Sequence, residues 1–330
     1  MLAGAFLAAS GAGAEIFKKE DLLRGITITH AQCDATEHTL WLSVRGRDFC
    51  VRYYLSTAGG DGARPVVFMD GDQLGKINTK TWIWLEPSEA KDRDSEEIQK
   101  GADAFSKLAK TTAIVLARIG VDGTSGNHLT RKSLLELDLM NAALDALKKR
   151  YKFEGYHLAG QSGGSRLAAG LIPLRHDVAC AVFGSGRLIT TEGGKNPDPG
   201  RSFFELNIPS IAKEVGLRPY VVTDKSDKQV PAEQQTSFIQ NMRKAGRQVP
   251  QFFVEATDDL RHGVMSYTEL VTAGCVLGKS DDEIARALAT LVKHNAEYNE
   301  RRHKEMAAKA SILAAAKQAI PVAHVNPPGN

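Results

Sequence analysis

No stretch of the sequence reaches the ~18 consecutive apolar residues that a membrane-spanning helix needs, so the mature chain is expected to be soluble, with no membrane partner. An excess of one charge is missing too. The 42 Lys and Arg stand against 39 Asp and Glu and are scattered, for a net charge of +3. No basic footprint of the kind nucleic acid requires is left. Cysteine is scarce, at four residues in 330, and with no CxxC and no Cys/His cluster a zinc site is not expected. Phosphate loops are absent as well: neither GxGxxG nor GxxxxGK[ST] threads through residues 160–165, and Gly274 to Ser280 is one residue short and follows a helical segment. What remains is an ordinary globular composition, 42% hydrophobic and 25% charged. The expected partner is a small molecule or a short peptide.

Residues 1–14, MLAGAFLAASGAGA, carry no charged side chain and end in Ala12-Gly13-Ala14, the small-x-small pattern of a signal-peptidase site. They resemble a trimmed secretory signal, so the protein is expected to be secreted or periplasmic. In such a compartment Cys33 and Cys50, 17 positions apart in neighbouring β-like runs, are the easiest pair to bridge. Cys180 (DVACAVF) and Cys275 (TAGCVLG) lie in apolar contexts and read as buried free thiols.

From Ile26 to Thr57 the residues alternate and are β-rich (ITITH, TLWLSV, FCVRYYLST), which predicts an antiparallel set of strands. The rhythm then changes to short apolar runs separated by amphipathic stretches. PVVFM (65–69), TAIVLARI (112–119), GYHLAG (155–160), VACAVFG (178–184), RPYVVT (218–223) and QFFVEA (251–256) read as strands. Helices are expected over 90–110, 129–151 and 232–246, and a capping box at Ser280 to Glu283 opens another. Alternation of this kind predicts an α/β fold with a mainly parallel sheet, antiparallel N-terminal strands and helices on both faces. The expected organisation is a signal segment at 1–14, one domain at 15–278, and a C-terminal helical extension and tail at 279–330.

The chemistry centres on Tyr156 to Ser165, an apolar strand that runs into Gly160-Gln161-Ser162-Gly163-Gly164 and then into a helix. A G-x-S-x-G framed by strand and helix is a nucleophile elbow. Glycines at −2 and +2 remove the Cβ atoms that would clash in the tight turn, and the serine Oγ is thrust above the sheet. A serine hydroxyl needs a neutral imidazole to take its proton and a carboxylate to orient that imidazole. Among the downstream histidines, His176 precedes the acid candidates, His294 and His303 lie on the charged C-terminal helix, and His324 sits in a Pro-rich tail. His262, shortly after QFFVEA, is left as the base. The acid belongs just past RPYVVT, where Asp224 and Asp227 compete, while Asp258 and Asp259 read as solvated loop charges.

With Gly160–Gly164, the acid region and His262-Gly263 in this order, the sequence resembles the α/β-hydrolase superfamily from about Pro65 to Cys275. Asp227-Lys228-Gln229-Val230-Pro231 is similar to the D-x-x-V-P turn of its prolyl-oligopeptidase and dienelactone-hydrolase members, which implies Asp227 as the acid. The resemblance further implies acyl transfer through a covalent acyl-serine, with no metal or organic cofactor. An oxyanion hole would be built from the Gly163 N–H and a second N–H after PVVFM. That loop reads Asp70-Gly71-Asp72 in place of the usual His-Gly start, so Gly71 and Asp72 both stand as second donors. Arg118, His128 and Gln161 fall near the same rim of the sheet and are the expected substrate-binding residues. Arg118 would pair with a substrate carboxylate or hold its loop through backbone carbonyls. The short segment before RPYVVT implies at most a small cap. The activity expected is that of a carboxylesterase, with a short-peptide serine peptidase or an inactive binding protein of the same fold as alternatives.

Overall fold

Residues 39–56 alternate apolar and polar around Arg45-Gly46, both of which take positive φ (51° and 70°), and the chain reverses there into a tight hairpin. Its strands are β1 (Thr39–Val44) and β2 (Arg47–Ser56). The apolar runs that follow become β3 (Val66–Met69), β4 (Ala113–Leu116), β5 (Tyr156–Gln161), β6 (Val178–Gly184), β7 (Arg218–Asp224) and β8 (Gln251–Val254). The structure, a computed structural model, describes residues 14–73, 91–189 and 203–318. The sheet order is β8-β7-β6-β5-β3-β4-β2-β1, with β3 to β8 parallel and the β1/β2 hairpin antiparallel on β4.

Strand periodicity sends alternate side chains to opposite faces. Val67, Met69, Ile114, Leu158, Phe183 and Val221 meet α2 (Leu134–Tyr151), α3 (Gly163–Leu171) and α4 (Ala232–Lys244) on one side. Their neighbours Val66, Phe68, Ala159, Val182 and Val222 face α1 (Ser95–Ala109), α5 (Met265–Val276) and the start of α6 (Asp281–Gln318) on the other. The ends of the helices follow local chemistry. Asp94 and Ser133 accept backbone N–H groups at the starts of α1 and α2, and Ser280 and Glu283 form the expected capping box at α6.

Two expectations change. ITITH is no strand: Thr29 and Gln32 form a capping box that starts a short helix, His30–Asp34, and only Ile26 makes a β-bridge. Cys180 and Cys275 are not free thiols but a disulfide from β6 to α5, because the two residues face each other across the sheet–helix interface. Cys33 and Cys50 are also bridged. The expected signal segment lies outside the described residues but for Ala14. So does 190–202, the main part of the segment where a small cap was expected.

Because the chain passes from β3 outward to β4 and then back across to β5, the direction of winding reverses between β3 and β5. A crevice opens there at the carboxyl ends of the strands. Met69, the last residue of β3, pairs with Gly160, two residues before Ser162.

Candidate active site

Ser162 stands between β5 and α3 with φ 53° and ψ −115°, a backbone geometry that side chains rarely adopt. The turn around it leaves no room for Cβ atoms. One added to Gly160 would lie 2.3 Å from the Gly164 carbonyl carbon, and one on Gly164 would lie 2.0 Å from the Met69 carbonyl oxygen. The elbow is pinned from below by the Ser162 N–H, which donates to the Gly184 carbonyl at 2.8 Å, and by Ser165 Oγ, which reaches the Gly160 and Gly184 carbonyls at 2.6 and 2.8 Å.

Asp227 and His262 come together at the ends of β7 and β8. One Asp227 oxygen accepts the N–H groups of Gln229 and Val230 at 2.8 and 2.9 Å, and the other lies 2.8 Å from His262 Nδ1. A carboxylate that accepts on both oxygens makes Nδ1 the donor, so Nε2 carries the lone pair. Nε2 is buried and has no partner among the described residues. The main chain of His262 is held as well: its N–H donates to Asp258 at 3.1 Å and its carbonyl accepts Gln161 Nε2 at 2.7 Å. Asp258, expected to be a solvated charge, thus organises the histidine loop. Asp224 does different work. It accepts from Ser226 N–H, Ala256 N–H and Arg261 Nε at 2.7, 2.7 and 2.9 Å, which ties the end of β7 to the loop after β8.

The loop after β3 completes the rim. Gly71 lies against Ser162, where an added Cβ would sit 3.3 Å from Ser162 Cβ. Its N–H already donates to Asp70 Oδ1 at 2.7 Å, so Gly71 is withdrawn as a second oxyanion donor. Asp70 in turn pairs with Arg93 at 2.6 Å, and Arg93 also reaches Asp122 at 3.0 Å, whose carboxyl burial pushes up to about 6. Asp72 turns its carboxylate inward under Gly163 to Lys132, Arg118 and Arg131 at 2.6, 2.9 and 3.1 Å. Burial alone would raise this carboxyl, but the charges of Lys132, Arg131 and Arg118 outweigh it and hold it well below the usual range.

Three residues expected to bind substrate are structural instead. Arg118, 1% exposed, forks onto Glu136 at 3.0 and 3.1 Å and spends its remaining nitrogen on Asp72 and the Asp70 carbonyl. It thereby holds the loop after β3 rather than its own, chiefly through carboxylates and through one carbonyl, that of Asp70. His128 is fully buried, with Nδ1 on the Ile119 carbonyl and Nε2 accepting the Gln73 N–H. Burial and the Arg118 charge push its pKa down to about 3, so it is the neutral ring that latches the loop. Gln161 donates Nε2 to the His262 carbonyl and so anchors the histidine. The residues missed in the sequence are the partners in this buried network, Asp70, Arg93, Arg131, Lys132 and Glu136.

With this geometry in hand the class follows: the chain has the α/β-hydrolase fold. It is similar to an esterase of Pyrococcus furiosus, at a TM-score of 0.52 and 11% identity over 76% of this chain and 93% of that one. It is also similar to Est1E of Butyrivibrio proteoclasticus, determined with ferulic acid bound, at a TM-score of 0.50 and 12% identity over 72% and 97%. No family model and no curated protein sequence matches the chain.

Proposed function

We propose that the protein is a serine hydrolase that cleaves carboxylic esters through an acyl-serine. The observation that carries this reading is His262 Nε2, without a partner among the described residues and backed by Asp227 at 2.8 Å, in the same rim as a serine on a strained elbow. Ser162 Oγ attacks the ester carbonyl and passes its proton to Nε2, and Asp227 stabilises the imidazolium. The oxyanion is held by the N–H of Gly163, in the first turn of α3, and by that of Asp72, since Gly71 is engaged. His262 then protonates the leaving alcohol, and a water activated by the same nitrogen releases the acid. The two disulfides support export to an oxidising compartment.

The test is labelling by a fluorophosphonate with peptide mapping, alongside a p-nitrophenyl ester panel. Labelling is expected at Ser162, and Ser162→Ala is expected to abolish both label and turnover, with kcat down by on the order of 10⁶. Ester hydrolysis retained in clean Ser162→Ala protein overturns the assignment.

A further inference from the structure

A cavity of about 220 Å³ lies between α1 and α5, over the side of the sheet that these helices cover. Strand and helix periodicity decide what lines it. Phe68 and Val115, directly paired across β3 and β4, form an apolar floor. Asp94, the cap of α1, and Glu97, Ile98 and Gly101 recur at the three- and four-residue spacing of one helix face, and Met265 and Glu269 stand one turn apart on α5. Gly101 is the informative wall. A glycine in a helix interior costs about 1 kcal/mol against alanine, yet a Cβ added here would meet no atom within 4 Å. The space in front of it stays open. A cavity of roughly 150 Å³ already holds a benzene ring, so this one admits an aromatic ring or a short alkyl chain.

The charges around this floor do not cancel. Arg93 is the one cation among the described lining residues, and Asp70 and Asp122 hold it at 2.6 and 3.0 Å. Asp94 accepts the Glu96 N–H at the start of α1. Glu97 and Glu269 have no cation within ion-pair distance among the described residues, and Lys100 on the same face of the molecule pairs with Glu96 instead. Glu269 is half-buried beside the apolar floor and has no part in the ester cleavage proposed above. Burial, with the Asp70 charge added to it, pushes its carboxyl up to about 7. A carboxylate so placed is stabilised by a cation brought to it. The cavity also borders the candidate active site: Asp70 accepts the N–H of Gly71, the residue that lies against Ser162, and Met265 is three residues past His262.

We infer that this cavity binds an organic cation, a primary ammonium on an aryl or short alkyl group, with Glu269 as its counter-ion and Phe68 and Val115 under its apolar part. An ammonium is a compact charge with three donors, which suits a site that offers more than one carboxylate. It arrives either on the ester itself or as a separate amine. Only the first of these rests on the hydrolase reading above.

The experiment uses the full chain and needs no turnover. Benzylamine, with benzyl alcohol as its neutral counterpart, is titrated by calorimetry at about pH 8, where Glu269 is ionised and the amine protonated. Benzylamine is expected to bind the more tightly. Glu269→Gln should weaken it about tenfold and leave benzyl alcohol unchanged. Gly101→Leu fills the cavity from a helix that prefers leucine to glycine, and should remove benzylamine binding without lowering the melting temperature. Benzylamine that binds no tighter than benzyl alcohol, or an affinity unmoved by either substitution, overturns the proposal. Two esters then identify the source of the ammonium: p-nitrophenyl 4-(aminomethyl)benzoate, which is cationic, and p-nitrophenyl 4-methylbenzoate, which is neutral. If the substrate carries it, kcat/KM for the cationic ester exceeds that for the neutral one about tenfold, through KM, and Glu269→Gln removes the difference. Equal values with benzylamine still bound assign the site to a separate amine. Benzylamine binding that depends on Glu269 in a protein whose Ser162 takes no fluorophosphonate would sink the hydrolase reading and keep the cation site. Labelled Ser162 with benzylamine binding indifferent to Glu269 would do the reverse.

Discussion

The two sides of Ser162 are built by different physics. On the β7/β8 side, Asp227 and His262 are placed by short-range backbone chemistry: a turn that donates two N–H groups to the acid, and a loop whose His262 N–H rests on Asp258. On the β3 side, the loop Asp70–Gln73 is placed by buried charges from distant elements, with Arg118 and Glu136 behind Asp72 and with Arg93 and Asp122 beside Asp70. Local turns tolerate change nearby, whereas a buried charge network fails when one partner is lost, because the other is left unpaired away from water. The second side should therefore be the more fragile in stability and the first the more sensitive in catalysis.

The sharpest contrast lies between two aspartates three positions apart. Asp227→Asn presents His262 with an amide that can favour the wrong tautomer, and kcat should fall by up to ~10⁴ with little change in melting temperature. Asp224→Asn should leave kcat within a few-fold and cost stability instead, about 1–3 kcal/mol, as its bonds to Ala256 and Arg261 weaken. Steady-state kinetics and denaturant midpoints on both variants check the pair, and the opposite ranking would give the acid role to Asp224.

On the other side, Glu136→Gln should destabilise the protein by about 3–5 kcal/mol in urea unfolding, since it strips the buried Arg118 of one of its two charged partners and leaves Asp72 alone to balance it. A loss below about 1 kcal/mol would mean that the two sides differ less than their construction implies.

The smallest effect is a slope. His128 is neutral in the fold at a pKa of about 3 against an ordinary 6.5, so its contribution is full above pH 6.5 and is lost as pH falls from there toward 3. Asp122 acts in the other direction, its raised pKa of about 6 favouring the fold below pH 3.8 and withdrawing that support as pH rises to 6. His128→Gln should flatten the acid side of a plot of urea midpoint against pH. An unaltered slope would remove His128 from the account.

This division also explains what could be read from the sequence. The elbow and the acid turn occupy five consecutive residues each, so each is complete in a short window. The β3 loop draws its partners from positions 93, 118, 131, 132 and 136, and no motif joins them. One signal was there. Glu136 falls on the apolar stripe of α2, four residues before Met140 and seven before Ala143, and a carboxylate on a buried face demands a buried cation. The Cys180–Cys275 bridge needed the β6 register, which alone shows that Cys180 and Val182 look toward α5. In the N-terminal region a four-residue capping box at Thr29 to Gln32 overrode the alternation of ITITH.

Asp227 and His262 both lie inside the loop closed by Cys180 and Cys275, 95 positions apart, and Ser162 lies outside it. A protease that cuts once anywhere between those cysteines would therefore make two polypeptides but one molecule, with Asp227 and His262 still fastened to the body that holds Ser162. Such a nicked form would run at full mass on a non-reducing gel and fall into two bands only when a thiol is added.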